Sequence, residues 1–185
     1  MPHYTVPTLD DVADADARDT LAQIEQQLGT LPNLYAYEAH SPKTFLAGLG
    51  LSHAAEHANF SNREAQAVYL ATSEVNSCTY CLAAHTALAQ MNGFSEDETF
   101  GLRAGTTSDP KLRALTQLTR AFVETKGRPG EALLDAFFDA GYTQAHLVDL
   151  TGLIAVKTFS NYLHNATDIP VDFPEAKPLP AAVLA

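Results

Sequence analysis

The chain holds two cysteines, three residues apart, in Cys78-Thr79-Tyr80-Cys81, and His85 follows four residues after the second. An α-helix turns about 100° per residue, which puts Cys81 and His85 roughly 40° apart around its axis and Cys78 and His85 roughly 20° apart. If the stretch is helical, two sulfurs and an imidazole share one face. Thiols at the start of a helix meet unpaired backbone N–H groups and the positive end of the helix dipole, both of which favour a thiolate. An imidazole beside them can take or give a proton near neutrality. The chemistry read from these residues is thiol–disulfide or thiol–peroxide redox.

The flanks predict the helix. Ser73-Glu74-Val75-Asn76-Ser77 offers several N-cap residues, and Leu82 to Asn92 is rich in helix formers and stops at Gly93. The cysteines then fall in the first turn of a helix over about 77–92. Upstream, Ser61-Asn62-Arg63-Glu64 is a capping box that opens a helix with Ala67, Leu70, Ala71 and Val75 as its apolar stripe.

Helix signals dominate elsewhere, and the fold class read from them is all-α. Residues 1–9 read as extended, about 10–28 as a helix stopped by Gly29, and Leu31 to Tyr37 as a loop or short turn. Ser41-Pro42 starts a helix to about Asn59. Ser95-Glu96-Asp97-Glu98 caps a short helix ending near Gly105, and Asp109-Pro110 starts one to about Lys126. A further helix carries Leu133, Leu134, Phe137 and Phe138, and Thr143 caps a last one to about Leu163. Gly93-Phe94-Ser95 is echoed by Gly141-Tyr142-Thr143, as expected of a duplicated helical hairpin in which only the first copy carries chemistry. The tail, about 166–185, has prolines at 170, 174, 178 and 180, and is expected to lie extended over the body or a neighbouring subunit.

Composition narrows the function. The 185 residues fit one domain, and a net charge of -11 argues against nucleic acid and anionic membranes as partners. No run of about 18 apolar residues predicts a membrane span. The first residues lack the basic-then-apolar pattern of a signal peptide, so the expected compartment is the cytoplasm. Closely spaced cysteines there are catalytic or metal-binding more often than structural. Zinc held by Cys78, Cys81, His85 and a fourth ligand is the competing reading, and a pair of small buried hydrophobes the plainest one. His53-Ala54-Ala55-Glu56-His57 matches the inverted zinc-protease pattern His-x-x-Glu-His. It reads first as a polar helix face, with the alternative that His53 or His57 serves the cysteines. His146 and His164 read as surface or interface residues. Tyr35, Tyr37, Phe45, Phe60, Phe100, Phe122, Phe137, Phe138 and Phe159 read as core or subunit contacts.

Residues 61–86, followed by Asn92-Gly93-Phe94-Ser95, resemble the alkylhydroperoxidase D (AhpD)-like branch of the carboxymuconolactone decarboxylase family, and the later helices and Pro170-Val171-Asp172-Phe173-Pro174 resemble its peroxidase-related members. The resemblance implies an AhpD-like orthogonal helical bundle with its redox core at about 61–94. It also implies trimers or hexamers, and a peroxidase that uses no haem, metal or other cofactor. By its pattern Cys81 becomes a sulfenic acid, Cys78 is its redox partner and proton donor, and His85 belongs to a proton relay. Cys78 then condenses with oxidised Cys81 to a disulfide. A peroxide is the implied substrate, and an external dithiol or a partner peroxiredoxin the implied electron partner. The sequence departs from the pattern at Gln66, where the family relay carries a glutamate; an amide cannot exchange a proton at neutral pH. Glu64 and Glu74 are the carboxylates nearest in sequence to replace it. Tyr80, between the cysteines, either packs or keeps a hydroxyl near the sulfurs.

Overall fold

A computed structural model describes residues 4–184, so residues 1–3 of the extended start and Ala185 of the tail lie outside it. Among the described residues the secondary structure is helical, with no strand. A 3₁₀ turn, Leu9–Asp11, precedes α1, Ala15–Leu28. The expected first helix is thus broken, because Asp14 takes the N-cap and accepts from Ala17 N–H. Then come α2, Asn33–Glu38; α3, Pro42–Ala58; α4, Asn62–Val75; and α5, Thr79–Met91. They are followed by α6, Glu96–Ala104; α7, Pro110–Glu124; α8, Glu131–Asp139; α9, Gln144–Thr167; and α10, Ala181–Leu184.

Helix α4 is the centre of the molecule. It packs against α5, α6, α7 and α9, and every residue from Ala67 to Ser73 is buried. A helix covered on all sides needs apolar or small residues all round, and Ala67-Val68-Tyr69-Leu70-Ala71-Thr72-Ser73 supplies them. Its ends are set by local chemistry. Ser61 and Glu64 close the capping box. At the other end Ser77 adopts φ 54°, and the N–H groups of Ser77 and Cys78 return to Glu74 O and Ser73 O. A left-handed serine costs roughly 1–2 kcal/mol, and here it lets α5 start within three residues of α4.

Two expectations are corrected. Leu31 to Tyr37, read as a loop or short turn, holds most of a helix, Asn33–Glu38, because its first N–H groups are answered from far away in sequence. Asn33 N–H donates to Asp172 Oδ2 at 2.7 Å and Leu34 N–H to the Tyr80 hydroxyl at 3.2 Å. The last long helix runs on to Thr167, where Asp168 closes it in the left-handed conformation. The tail then crosses the body with Ile169 buried, Arg103 donating to Lys177 O, and Lys177 paired with Glu96. After Pro180, the last proline, the chain turns helical again over Ala181–Leu184.

The echo between the two hairpins has a structural counterpart. Gly93 and Gly141 both have positive φ, 83° and 92°, and the following Phe94 and Tyr142 return their N–H groups to Ala89 O and Phe137 O. Arg63, at the start of α4, lies 3.6 Å over the Phe94 ring; Lys111, at the start of α7, lies 4.7 Å over Tyr142.

Candidate functional site

Cys78 is the N-cap of α5 rather than part of its first turn. The tight α4–α5 turn leaves no room for Asn76 or Ser77 to cap, so the thiol takes the role, and Cys78 Sγ accepts from Cys81 N–H at 3.2 Å. Both thiols are free and buried, with Cys78 0% and Cys81 2% exposed. The Cys78 thiol donates to Cys81, and this bond is the main reason that Cys81 is held below the ordinary thiol range and Cys78 far above it. Burial pushes Cys81 up; the Lys157 ammonium and a hydrogen bond from Asn161 bring it back down. At neutral pH the negative charge therefore belongs to Cys81.

His85 is buried one turn further along α5. Its Nδ1 bonds to Gln66 Oε1 at 2.9 Å, and its ring lies against Tyr69 with centroids 4.7 Å apart. An amide oxygen only accepts, so the ring carries its proton on Nδ1 and presents a bare Nε2. Burial, and then Lys157, push its pKa well below the ordinary histidine value. His85 is held in its neutral form near pH 7.

Cys81, His85, Gln66 and Tyr80 all border a cavity of about 280 Å³. Glu64 and Glu74 do not. Glu64 is held by Ser61, Lys111 and Tyr142, which outweigh its partial burial and lower its carboxyl to about 2. Glu74 is paired with Arg103 at 2.7 Å. The Tyr80 hydroxyl is spent on Leu34 N–H beside Asp172, so it holds α2 and the tail rather than the sulfurs. His53 and His57 are exposed, with their rings in tilted contact, centroids 4.3 Å apart. The residue between them, Glu56, is the one that borders the cavity, where the Tyr69 hydroxyl donates to it and Ser52 donates at 3.0 Å. Among the described residues no three His, Cys, Asp or Glu side chains converge to hold a metal ion.

The sequence reading missed the rest of the site. Helix α9 points Lys157, Ser160, Asn161 and His164 inward, all buried; His164 is thus no surface residue, and its Nε2 meets Ile169 O at 3.1 Å. These positions continue the stripe of Leu150 and Leu153 at helical spacing. Four polar residues on the apolar stripe of a long helix were the available signal. From α2, Glu38 reaches the same cavity, only 8% exposed, with Ser160 Oγ donating to its Oε1 at 2.9 Å. Burial raises its carboxyl to about 7, against the opposing pull of Ser160 and Lys157. Glu38 lies in the segment read as a loop and its end, so nothing local marked it.

Two thiols of opposite proton affinity at a helix start, beside a neutral histidine and a cavity, form a dithiol site in an all-helical fold. The chain matches the model of the carboxymuconolactone decarboxylase family over residues 43–124. Its fold is that of the AhpD core of an uncharacterised peroxidase-related protein from Ralstonia eutropha (TM-score 0.78, 23% identity, 91% of each chain). It is similar to that of the debrominase Bmp8, whose structure holds 2,3,4-tribromopyrrole (TM-score 0.76, 19% identity, 100% of this chain and 96% of that one). A peroxidase-related protein from a Silicibacter species matches with TM-score 0.73 at 20% identity, over 92% of this chain and 94% of that one. No curated protein matches the chain. Among the described residues no helix is long and apolar enough to cross a membrane.

Proposed function

We propose that the protein is a thiol-dependent peroxidase or disulfide oxidoreductase in which Cys81 is the nucleophile and Cys78 the resolving thiol. The observation that carries this is the asymmetry of the pair: Cys81 borders the cavity and accepts from Cys78 and Asn161, while Cys78 lies behind it, fully buried. The Cys81 thiolate attacks the terminal peroxide oxygen, forming an S–O bond and breaking O–O, so that sulfur is oxidised and an alcohol or water leaves. The Cys78 thiol then attacks the sulfenic acid, a disulfide closes and water departs. An external dithiol, or a partner peroxiredoxin in a reducing cytoplasm, returns the pair to thiols.

The test is to treat reduced protein with one equivalent of an organic hydroperoxide and follow free thiols and mass. Both thiols should vanish together with a loss of about two hydrogens. Cys81→Ser should be inert, and Cys78→Ser should stop one oxygen heavier. Two thiols persisting after stoichiometric peroxide would overturn the proposal. The largely apolar wall, with Leu34, Leu49, Leu88, Phe159 and Phe173, and the likeness to Bmp8 support a second substrate class for the same sulfur. A bromopyrrole supplied with dithiol, read by bromide release, tests it.

A homo-oligomer is the assembly we infer. On α9, Val148, Ala155, Phe159 and Tyr162 are exposed, and on the adjoining α3 so are Leu51 and Ala54. Gly152 of α9 brings the two helices together, a Cβ there standing 3.6 Å from the Leu51 side chain. Phe159 belongs both to this face and to the cavity wall, so a second copy seated here would close the cavity on that side.

A further inference from the structure

We propose that Lys157 and Glu38 manage charge and proton for the sulfur chemistry: the Lys157 ammonium answers the Cys81 thiolate before peroxide attack and the Glu38 carboxylate after it, Glu38 having protonated the departing alkoxide. The Lys157 half needs no substrate, whereas the Glu38 half rests on the peroxidase reading above.

Lys157 is 7% exposed and borders the cavity. Among the described residues no carboxylate lies within ion-pair distance of it. Its Nζ stands 4.6 Å from the centroid of the Tyr69 ring, a cation–π contact. A buried ammonium loses its hydration and is stable only when an anion answers it. Three acids border that cavity. Glu56 is already served by the hydroxyls of Tyr69 and Ser52. Cys81 and Glu38 remain, and the charge of Lys157 acts on both.

One cation and two acids leave room for one negative charge at a time. With the thiolate formed, Glu38 keeps its proton, as its burial and its rise to about 7 favour. In the reaction, thiolate plus hydroperoxide plus carboxyl becomes sulfenic acid plus alcohol plus carboxylate. Sulfur loses two electrons to the O–O bond, the proton of Glu38 ends on the alcohol, and the summed charge of Lys157, Cys81 and Glu38 is the same before and after. Solvent later returns a proton to Glu38.

The parts come from one helix turn. Ser160, three residues after Lys157, orients Glu38 at 2.9 Å, and the adjacent Asn161 donates to Cys81. Helix α2 thereby supplies the carboxyl that Gln66 cannot. The other titratable groups bordering the cavity with Glu38 are Tyr35 on its own helix, Glu56 on α3, Tyr69 on α4, and Tyr80, Cys81 and His85 on α5. Burial pushes Tyr35 and Tyr69 above the ordinary phenol range and holds His85 neutral.

The test has two arms. The first measures alkylation of Cys81 against pH, mapped by mass spectrometry, in the full-length wild type, Lys157→Met and Lys157→Arg, with circular dichroism as the folding control. Lys157→Met should raise the midpoint by about one pH unit or more, a tenfold loss of thiolate, and Lys157→Arg should restore it. An unchanged midpoint in folded Lys157→Met would overturn the Lys157 role. The second measures the rate of Cys81 sulfenylation by an organic hydroperoxide in Glu38→Gln. The alkylation midpoint should not rise, the rate near pH 6 should fall about a hundredfold, and the decline of the wild-type rate above about pH 7 should disappear. A wild-type rate and profile in Glu38→Gln would overturn the Glu38 role. A wild type inert to peroxide would instead refute the peroxidase reading, and the Glu38 step with it, while the alkylation arm still decides Lys157.

Discussion

Gln66 accepts from His85 Nδ1–H and fixes the ring, and its amide moves no proton. Gln66→Ala would leave a buried ring nitrogen without its partner, at a cost of about 1–3 kcal/mol, and thermal unfolding should record a lower midpoint. Glu38 makes a prediction of opposite character. Its carboxyl is raised from an ordinary 4.5 to about 7 by burial, so the folded state binds its proton more tightly than the unfolded chain does. The stability this contributes is fully present below about pH 4.5 and is lost as pH rises through about 7, a change on the order of 3 kcal/mol. Urea unfolding at pH 5 and pH 8 should show Glu38→Gln losing less stability across that interval than the wild type. Equal losses would mean that the carboxyl titrates normally.

At the scale of elements, α2 depends on residues nearly the whole chain away. Six residues are too few to form a stable isolated helix, and its N-cap position is Pro32, which has no side-chain hydrogen bond to offer. Asp172 of the tail and Tyr80 of α5 provide the missing acceptors. Asp172→Ala should therefore destabilise by about 1 kcal/mol, the usual worth of an N-cap. Faster hydrogen exchange should appear first at the amides of Asn33 and Leu34. Because α2 carries Glu38, the same substitution should loosen the cavity wall. Protection unchanged at those two amides would show that the tail does not hold the helix. The hairpin ends at Gly93 and Gly141, by contrast, are local devices: a left-handed glycine, a buried aromatic and a capping hydroxyl at Ser95 or Thr143.

Over the whole molecule, the core is gathered around α4, and the cavity sits where the cysteine cluster around Leu34 and Ile169 meets the cluster of α1 and α3 around Phe45. The uncharged exposed face of α9 beside α3 is the surface by which copies should associate. Light scattering should give a mass that is a multiple of 19.9 kDa, and Val148→Asp with Phe159→Asp should reduce it to one subunit while the helical content stays. A wild type that runs as a monomer at micromolar concentration would reject that face as an interface.

Helix positions, their caps and the dithiol motif were legible because each rests on residues within one or two turns of one another: Ser61 with Glu64, Asp109 with Pro110, Cys78 with Cys81 and His85. The reading stopped where partners came from elsewhere in the chain. Glu64 was read as a relay candidate tied to its capping box, and Lys111 and Tyr142 also close on it; His164 was read as a surface or interface residue, and the tail covers it. Local sequence alone determined that two thiols and an imidazole lie along one helix start, since backbone geometry ties such spacings to one face. The hydrogen bond between the two thiols, also local, favours the charge on Cys81, but its burial and the pulls of Lys157, Asn161 and Glu38 on it arose only when α2 and α9 closed the cavity, because desolvation and Coulomb forces act through space and are blind to separation along the chain.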